Sequence, residues 1–200
     1  MVVMEGEQDV FGNIISGLLV EKKSMADGRE QIVSLLFPTD FHGNPLNGRA
    51  DTTIHAVAPT ELCLFERNTF ERLTGEIPKL QRALLDRSMA ALQDAREWML
   101  LLGQKTASER VATFLLRIAQ RQSEAGCGHA SSMLRDGDTF EIPITRAQIA
   151  AYLGLTIETV SRRLTALRDA HVIDLEGSRH VRLLNLAQLR ATAGTPPTLN

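Results

Sequence analysis

Glu158, Ser161 and Arg162 stand at i, i+3 and i+4, so a helix carries all three side chains on one face of its first turns. A carboxylate placed there can accept from a cytosine amino group, and an arginine can pair with guanine O6 and N7. Such chemistry belongs to an α-helix that reads base edges with its N-terminal residues. Thr156 and Arg163 flank the trio and complete the candidate DNA-binding set. A Glu–Arg pair four residues apart also decorates many solvated helix surfaces, so the reading depends on what positions this helix.

The stretch TRAQIAAYLGLTIETVSRRLTALR, Thr145 to Arg168, supplies the positioning. Ile149, Ala150 and Leu153 recur at helical spacing, Gly154 interrupts, and Val160, Leu164 and Leu167 resume the pattern. Ala150 is small where two helices must approach, Gly154 can take the positive φ of a tight turn, and Thr156 suits the N-cap of the second helix. The prediction is a helix-turn-helix, with Glu158, Ser161 and Arg162 opposite the buried side of its second helix. Helix-turn-helix geometry also serves purely structural helical domains, so spacing alone leaves both readings open.

ETVSR after YLGLTI resembles the recognition helix of the CRP/FNR family of bacterial regulators, in the E-x-x-S-R form of its FNR and FixK branch. The resemblance implies that Glu158, Ser161 and Arg162 contact bases, that the DNA is double-stranded with TTGAT-like inverted half-sites, and that the regulator is a homodimer with RNA polymerase as a further partner. It also implies an α+β fold. An incomplete cyclic-nucleotide-binding-like β-roll is expected at 1–77, a dimerisation helix and hinge at 78–103, a winged helix-turn-helix at 104–190 and a disordered tail at 191–200.

Composition agrees with this class. At 44% hydrophobic and 23% charged residues, the 200-residue chain has the make-up of a globular protein with room for two small domains. No run of about 18 apolar residues is present, which excludes a membrane helix, and MVVMEGEQDV lacks the basic start of a signal peptide, so a cytoplasmic address is expected. The net charge of −2 is unevenly spread: residues 1–102 hold 10 Lys+Arg against 15 Asp+Glu, residues 103–200 hold 12 against 9. The positive excess accompanies the helix-turn-helix.

Before Glu66 the chain reads as short strands, Val10–Ile15, Leu18–Ser24, Gln31–Leu36, Thr52–Val57 and Leu62–Glu66, with turns at Ser16-Gly17, Asp27-Gly28 and Pro45–Gly48. SGLLVEKKSMADGREQIVSLLFPTDFHG resembles the family's sensor roll. The resemblance begins abruptly, so the chain reads as N-terminally short, lacking a leading helix, the first strand and a cysteine cluster. In nucleotide-sensing relatives an Arg-Ser pair holds a cyclic phosphate, whereas here Arg49 is followed by Ala50 and Asp51, and the aspartate would repel one. Cyclic nucleotide is therefore not expected as a ligand.

Cys63 sits where the resemblance places an internal iron–sulfur ligand. A [4Fe–4S] cluster needs four thiolates, so no cofactor is expected in this chain, and Cys63 becomes a metal ligand only in a longer one. Cys127, in SEAGCGHASS, reads as an inert or oxidation-exposed thiol. An enzyme is not expected either: the roll offers only His42 and His55 as histidines, and neither a P-loop nor a nucleophile elbow is present.

From Pro78 a helix of some two dozen residues places Gln81, Leu85, Ser88, Leu92, Ala95, Met99 and Leu102 on an a/d seam. Leu85, Ser88, Leu92, Ala95 and Met99 are the predicted dimer interface, and no charge interrupts it. A second stripe, Leu80, Leu84, Ala91 and Trp98, is predicted to pack on the roll. A single amphipathic helix, or a non-DNA interaction module built on the coiled coil, would use the same pattern. Gly103 is predicted to end or kink this helix. KTASERVATFLLRIAQRQ then gives a further helix burying Val111, Phe114, Leu115 and Ile118, followed by a polar loop over 123–138. TFEIPIT reads as a strand, and HVIDLEGSRHVRLLN as a hairpin whose Arg179, His180 and Arg182 could meet phosphates.

Overall fold

The computed structural model describes residues 2–7, 11–43, 49–126 and 133–194. The chain divides into two compact units, Met1–Gly103 and Gln104–Asn200. In the first, β1 (Gly12–Ser16), β4 (Phe41–His42) and β6 (Glu61–Leu64) form one antiparallel sheet in the order β4-β1-β6. A second sheet, ordered β3-β2-β5, is made by β2 (Leu19–Ser24), β3 (Glu30–Leu36) and β5 (Thr53–Ala56). Ile14 from one sheet and Leu19 and Ile54 from the other meet in a core that Val3 and Ala50 complete. Alternation of inward apolar and outward polar residues drives this arrangement, the β-roll the sequence predicts.

Beside that core lies an aromatic cluster assembled from distant segments. Phe70 of α1 (Arg67–Glu76) meets Phe11 edge-on with ring centroids 4.5 Å apart, and Phe11 stacks on Phe41 at 5.9 Å. Phe65 closes the group, 5.6 Å from Phe70. Geometry of this kind adds about 0.5–1.5 kcal/mol per pair beyond simple burial. Neither α1 nor β4 is foreseen from the sequence: α1 buries a single residue, Phe70, and β4 is two residues long. The predicted turn at Pro45–Gly48 lies outside the described residues.

Gly12 marks the tightest point of the roll. A Cβ added there would stand 2.3 Å from the Cys63 carbonyl oxygen on the paired strand β6. Gly12→Ala therefore forces β1 and β6 apart, with an expected loss of about 1–3 kcal/mol. Urea unfolding followed through the roll checks it; an unchanged midpoint would show that the strands separate at no cost.

α2 (Pro78–Gln104) runs 27 residues, about 40 Å. It ends at Gln104, one residue past Gly103, so the helix stops within a residue of the predicted position. Leu80, Leu84 and Trp98 are half-buried as a stripe, but Ala91 is exposed and does not belong to it. On the seam, Leu85, Leu92 and Met99 are 59%, 43% and 64% exposed, and Met89, absent from the predicted seam, is 55% exposed. Ser88 and Ala95 are exposed with them.

The second unit is a winged helix-turn-helix. α3 (Ala107–Gly126) buries Val111, Phe114, Leu115 and Ile118, each 0–1% exposed. It therefore extends into the segment read as a loop from residue 123. Its start is capped by Thr106, whose N–H and hydroxyl donate to Glu109 Oε2, both at 2.7 Å. α3 packs against α5 (Ile157–Asp169) and α6 (Leu186–Thr192), and the sheet β7-β9-β8 is built from β7 (Thr139–Glu141), β8 (Ile173–Glu176) and β9 (His180–Leu183). The predicted tail is corrected over its first residues. Ala191 and Thr192 belong to α6, Ala193 is fully buried, and Lys105 Nζ donates to the Ala193 carbonyl at 2.8 Å. Asn185 caps α6 by accepting from Gln188 N–H, which starts a helix where composition alone suggested none. Among the described residues no helix is long and apolar enough to cross a membrane.

Candidate nucleic-acid interface

α4 (Arg146–Leu153) begins at a reciprocal cap. The Thr145 hydroxyl accepts from Gln148 N–H at 3.2 Å while Gln148 Oε1 accepts from Thr145 N–H at 2.8 Å. The Thr-x-x-Gln spacing is a local signal for this cap, readable from the chain but not among the cues that predicted the motif. At the other end Gly154 takes φ 61° and ψ 41°, the left-handed conformation in which a Cβ would be strained. Arg110 Nη1 donates to the Leu153 carbonyl at 3.0 Å, satisfying an acceptor that the end of α4 leaves open. Ile149, Ala150 and Leu153 are buried on α4, and Val160, Leu164 and Leu167 on α5. This apolar seam fixes the second helix against the first.

α5 starts at Thr156, whose hydroxyl accepts from Thr159 N–H at 3.2 Å. Burying Val160, Leu164 and Leu167 turns the opposite side outward, and Glu158, Ser161 and Arg162 are all exposed there. The Glu158 backbone N–H and the Thr156 hydroxyl hold the Glu158 carboxyl below the ordinary glutamate range, and they favour its ionised, accepting form. Ile157 is 47% exposed in the first turn, an apolar neighbour that the helical pattern did not single out. Arg163 differs from the trio: it is half-buried, with its Nε shielded from solvent.

The Crp-like helix-turn-helix domain family matches residues 109–192, which covers α3 through α6. The transcriptional activator protein FnrL of Cereibacter sphaeroides is 41% identical over 199 residues, spanning 96% of this chain and 77% of that protein. The chain belongs to the CRP/FNR family of transcription regulators. A probable transcriptional activator of Rhizobium leguminosarum bv. viciae is 40% identical over 94% of this chain and 75% of its own length. Among solved structures, FixK2 from Bradyrhizobium japonicum superposes with a TM-score of 0.83 at 31% identity, covering 96% of this chain and 91% of that one. As a CRP/FNR member the protein is a DNA-binding transcription regulator and not an enzyme, and its roll, long helix and winged domain follow the family plan.

Two further parts of this CRP/FNR regulator surround the recognition helix. Arg146, first residue of α4, is half-buried, and its Nη2 donates to the Ser178 carbonyl in the hairpin turn at 3.3 Å. Burial lowers its pKa. Arg179 and Arg182, read as possible phosphate contacts, both face carboxylates: Arg179 lies 3.8 Å from Glu141, and Arg182 donates to Glu176. These pairs cross strands, so no local pattern announces them.

In the roll, Cys63 is exposed on β6 opposite Asn13, while Cys127 lies outside the described residues. Among the described residues no three His, Cys, Asp or Glu side chains converge on a point that could hold a metal. That donor set does not fit a four-thiolate cluster. Arg49 and Asp51 are exposed, and the Asp51 carbonyl accepts from Lys23 Nζ at 2.6 Å.

Proposed function

We propose that this regulator binds TTGAT-like inverted repeats as a homodimer, each α5 entering a major groove of half-sites one helical turn apart. The observation that carries this reading is the exposed Glu158, Ser161 and Arg162 set at the capped start of α5. Arg162 pairs with a guanine, Glu158 accepts from a base amino group and Ser161 assists at a base edge or phosphate, with Thr156 and Arg163 at the margins. The experiment is binding of the full chain to a TTGAT-N4-ATCAA duplex and to random DNA across a salt series. A clear preference for the duplex is expected, and equal affinity for both would refute base reading.

The second copy is seated on α2. Leu85, Met89, Leu92 and Met99 form an apolar stripe with Ser88 and Ala95 beside it, and an exposed stripe of this length is unfavourable unless covered. A neighbouring α2 offers the same stripe, the self-complementary arrangement of a two-fold dimer. The positions Leu85, Ser88, Leu92, Ala95 and Met99 carry no charge, so pairing does not wait for a ligand to bury one. Sedimentation equilibrium is expected to find a dimer at tens of micromolar; a monomer there would exclude a ligand-independent dimer.

RNA polymerase is the proposed protein partner. The circuit served is proposed to be oxygen- or redox-responsive, as the resemblance of the recognition helix and of the Cys63 position to the FNR branch implies; the nitrogen fixation regulation protein FixK of Bradyrhizobium diazoefficiens is 36% identical over 191 residues. Cys63 contributes one thiolate at most, so signal reception by a cluster is not assigned to these residues. Cyclic nucleotide is not a proposed ligand, because Asp51 brings a negative charge to the segment that would have to hold its phosphate.

A further inference from the structure

The hairpin of β8 and β9 carries the two arginines that a phosphate-gripping wing would use, and both are committed within the protein. Arg182 is held by Glu176 across the ladder, with Asp174 directly opposite it in register. Arg179 faces Glu141 of the adjoining β7 at 3.8 Å. Each arginine thus faces a carboxylate, and the third nearby cation, Arg146, spends one guanidinium nitrogen on the Ser178 carbonyl. That last bond also locates the turn. The first helix of a helix-turn-helix crosses the DNA backbone, so a turn tied to its first residue lies along the phosphates.

Stability does not account for these pairs. With side chains about half exposed, ion pairs of this kind contribute little to stability. Their consequence is electrostatic. An arginine that leaves its carboxylate for a phosphate leaves that carboxylate behind, within a Debye length of about 8 Å at physiological salt. Repulsion between carboxylate and phosphate then offsets the attraction just made. A hairpin with free arginines would attract any DNA alike, since phosphate contacts carry no sequence information.

We propose that Glu141 and Glu176 limit the wing's grip on DNA: by neutralising Arg179 and Arg182 they remove the wing's sequence-blind attraction for the DNA backbone and leave affinity to the recognition helix. This limit rests on the DNA-binding role and adds a second determinant to it.

The test compares the 200-residue chain and its variants on a random duplex and on the inverted repeat, each over a salt series. E141Q/E176Q is expected to bind random DNA about tenfold or more tightly at low salt, with the log–log salt slope of the dimer steeper by roughly 2–4, about 0.9 for each further phosphate neutralised by the two arginines of each subunit. The repeat gains by a similar factor, because a backbone contact adds equally to both duplexes. R179A/R182A in the otherwise native chain is expected to change random binding by less than about twofold, because those arginines are already neutralised. Combining all four substitutions should abolish the gain. An unchanged random affinity in E141Q/E176Q overturns the proposal. So does a gain that persists without the arginines, which would mean general repulsion, and so does a slope flattened by a full unit in R179A/R182A alone. Loss of repeat preference in the native chain would instead strike the base-reading assignment, because the random-DNA arms do not depend on it.

Discussion

Arg162→Ala is expected to abolish most of the preference for the TTGAT repeat while leaving the fold intact. A lost arginine–guanine contact costs about 1–3 kcal/mol, and a two-fold site loses it twice, so affinity for the repeat should fall by about 2–6 kcal/mol. Random DNA should lose far less, about one phosphate-sized increment per subunit in the salt slope. Exposure of Arg162 on α5, away from the buried Val160, Leu164 and Leu167, is why the melting temperature should hold. Quantitative binding to both duplexes, with thermal melting of the same samples, separates the cases. Equal losses on repeat and random DNA would reduce Arg162 to a phosphate contact and leave base reading to other residues.

Leu153→Ala should act in the opposite way, on the fold first and on DNA only as a consequence. Leu153 is fully buried at the end of α4, immediately before the Gly154 turn that aims α5. Truncating a buried leucine costs about 2–5 kcal/mol, in transfer energy and in the cavity left behind. In a unit of this size that corresponds to a fall in melting temperature of at least about 8 °C. Calorimetry on the full chain should show it. Ile157→Ala is the matched control: at 47% exposure it should move stability by no more than about 0.5 kcal/mol. If Leu153→Ala melted like Ile157→Ala, the α4–α5 seam would not be what fixes the recognition helix.

The two substitutions separate what positions the site from what performs its chemistry. Arg162 has the chemistry and no place in the core, while Leu153 has a place in the core and no chemistry. Glu158 stands between them, because the capping geometry that starts α5 also lowers the pKa of its carboxyl. The wing adds a third contribution through charges that cancel.

The helix-turn-helix was legible in the chain because everything that makes it is local. Two apolar stripes, Gly154 in the left-handed conformation and Thr156 at the cap act within 24 residues, and short-range sterics and hydrogen bonds fix the outcome. The exposed seam of α2 was legible for the same reason, helical periodicity, although Met89 escaped it. What only the tertiary structure decided depends on residues far apart in sequence. Phe11, Phe41, Phe65 and Phe70 become a cluster only when the roll closes, and α1, with a single buried residue, had no periodicity to betray it. Gly12 is needed because β6 passes so near. Arg146 reaches Ser178 across 32 residues, and Glu141 reaches Arg179 from another strand. Taken singly, Arg179 and Arg182 are two cations available to DNA; the folded sheet, by setting carboxylates beside them, makes the wing nearly neutral.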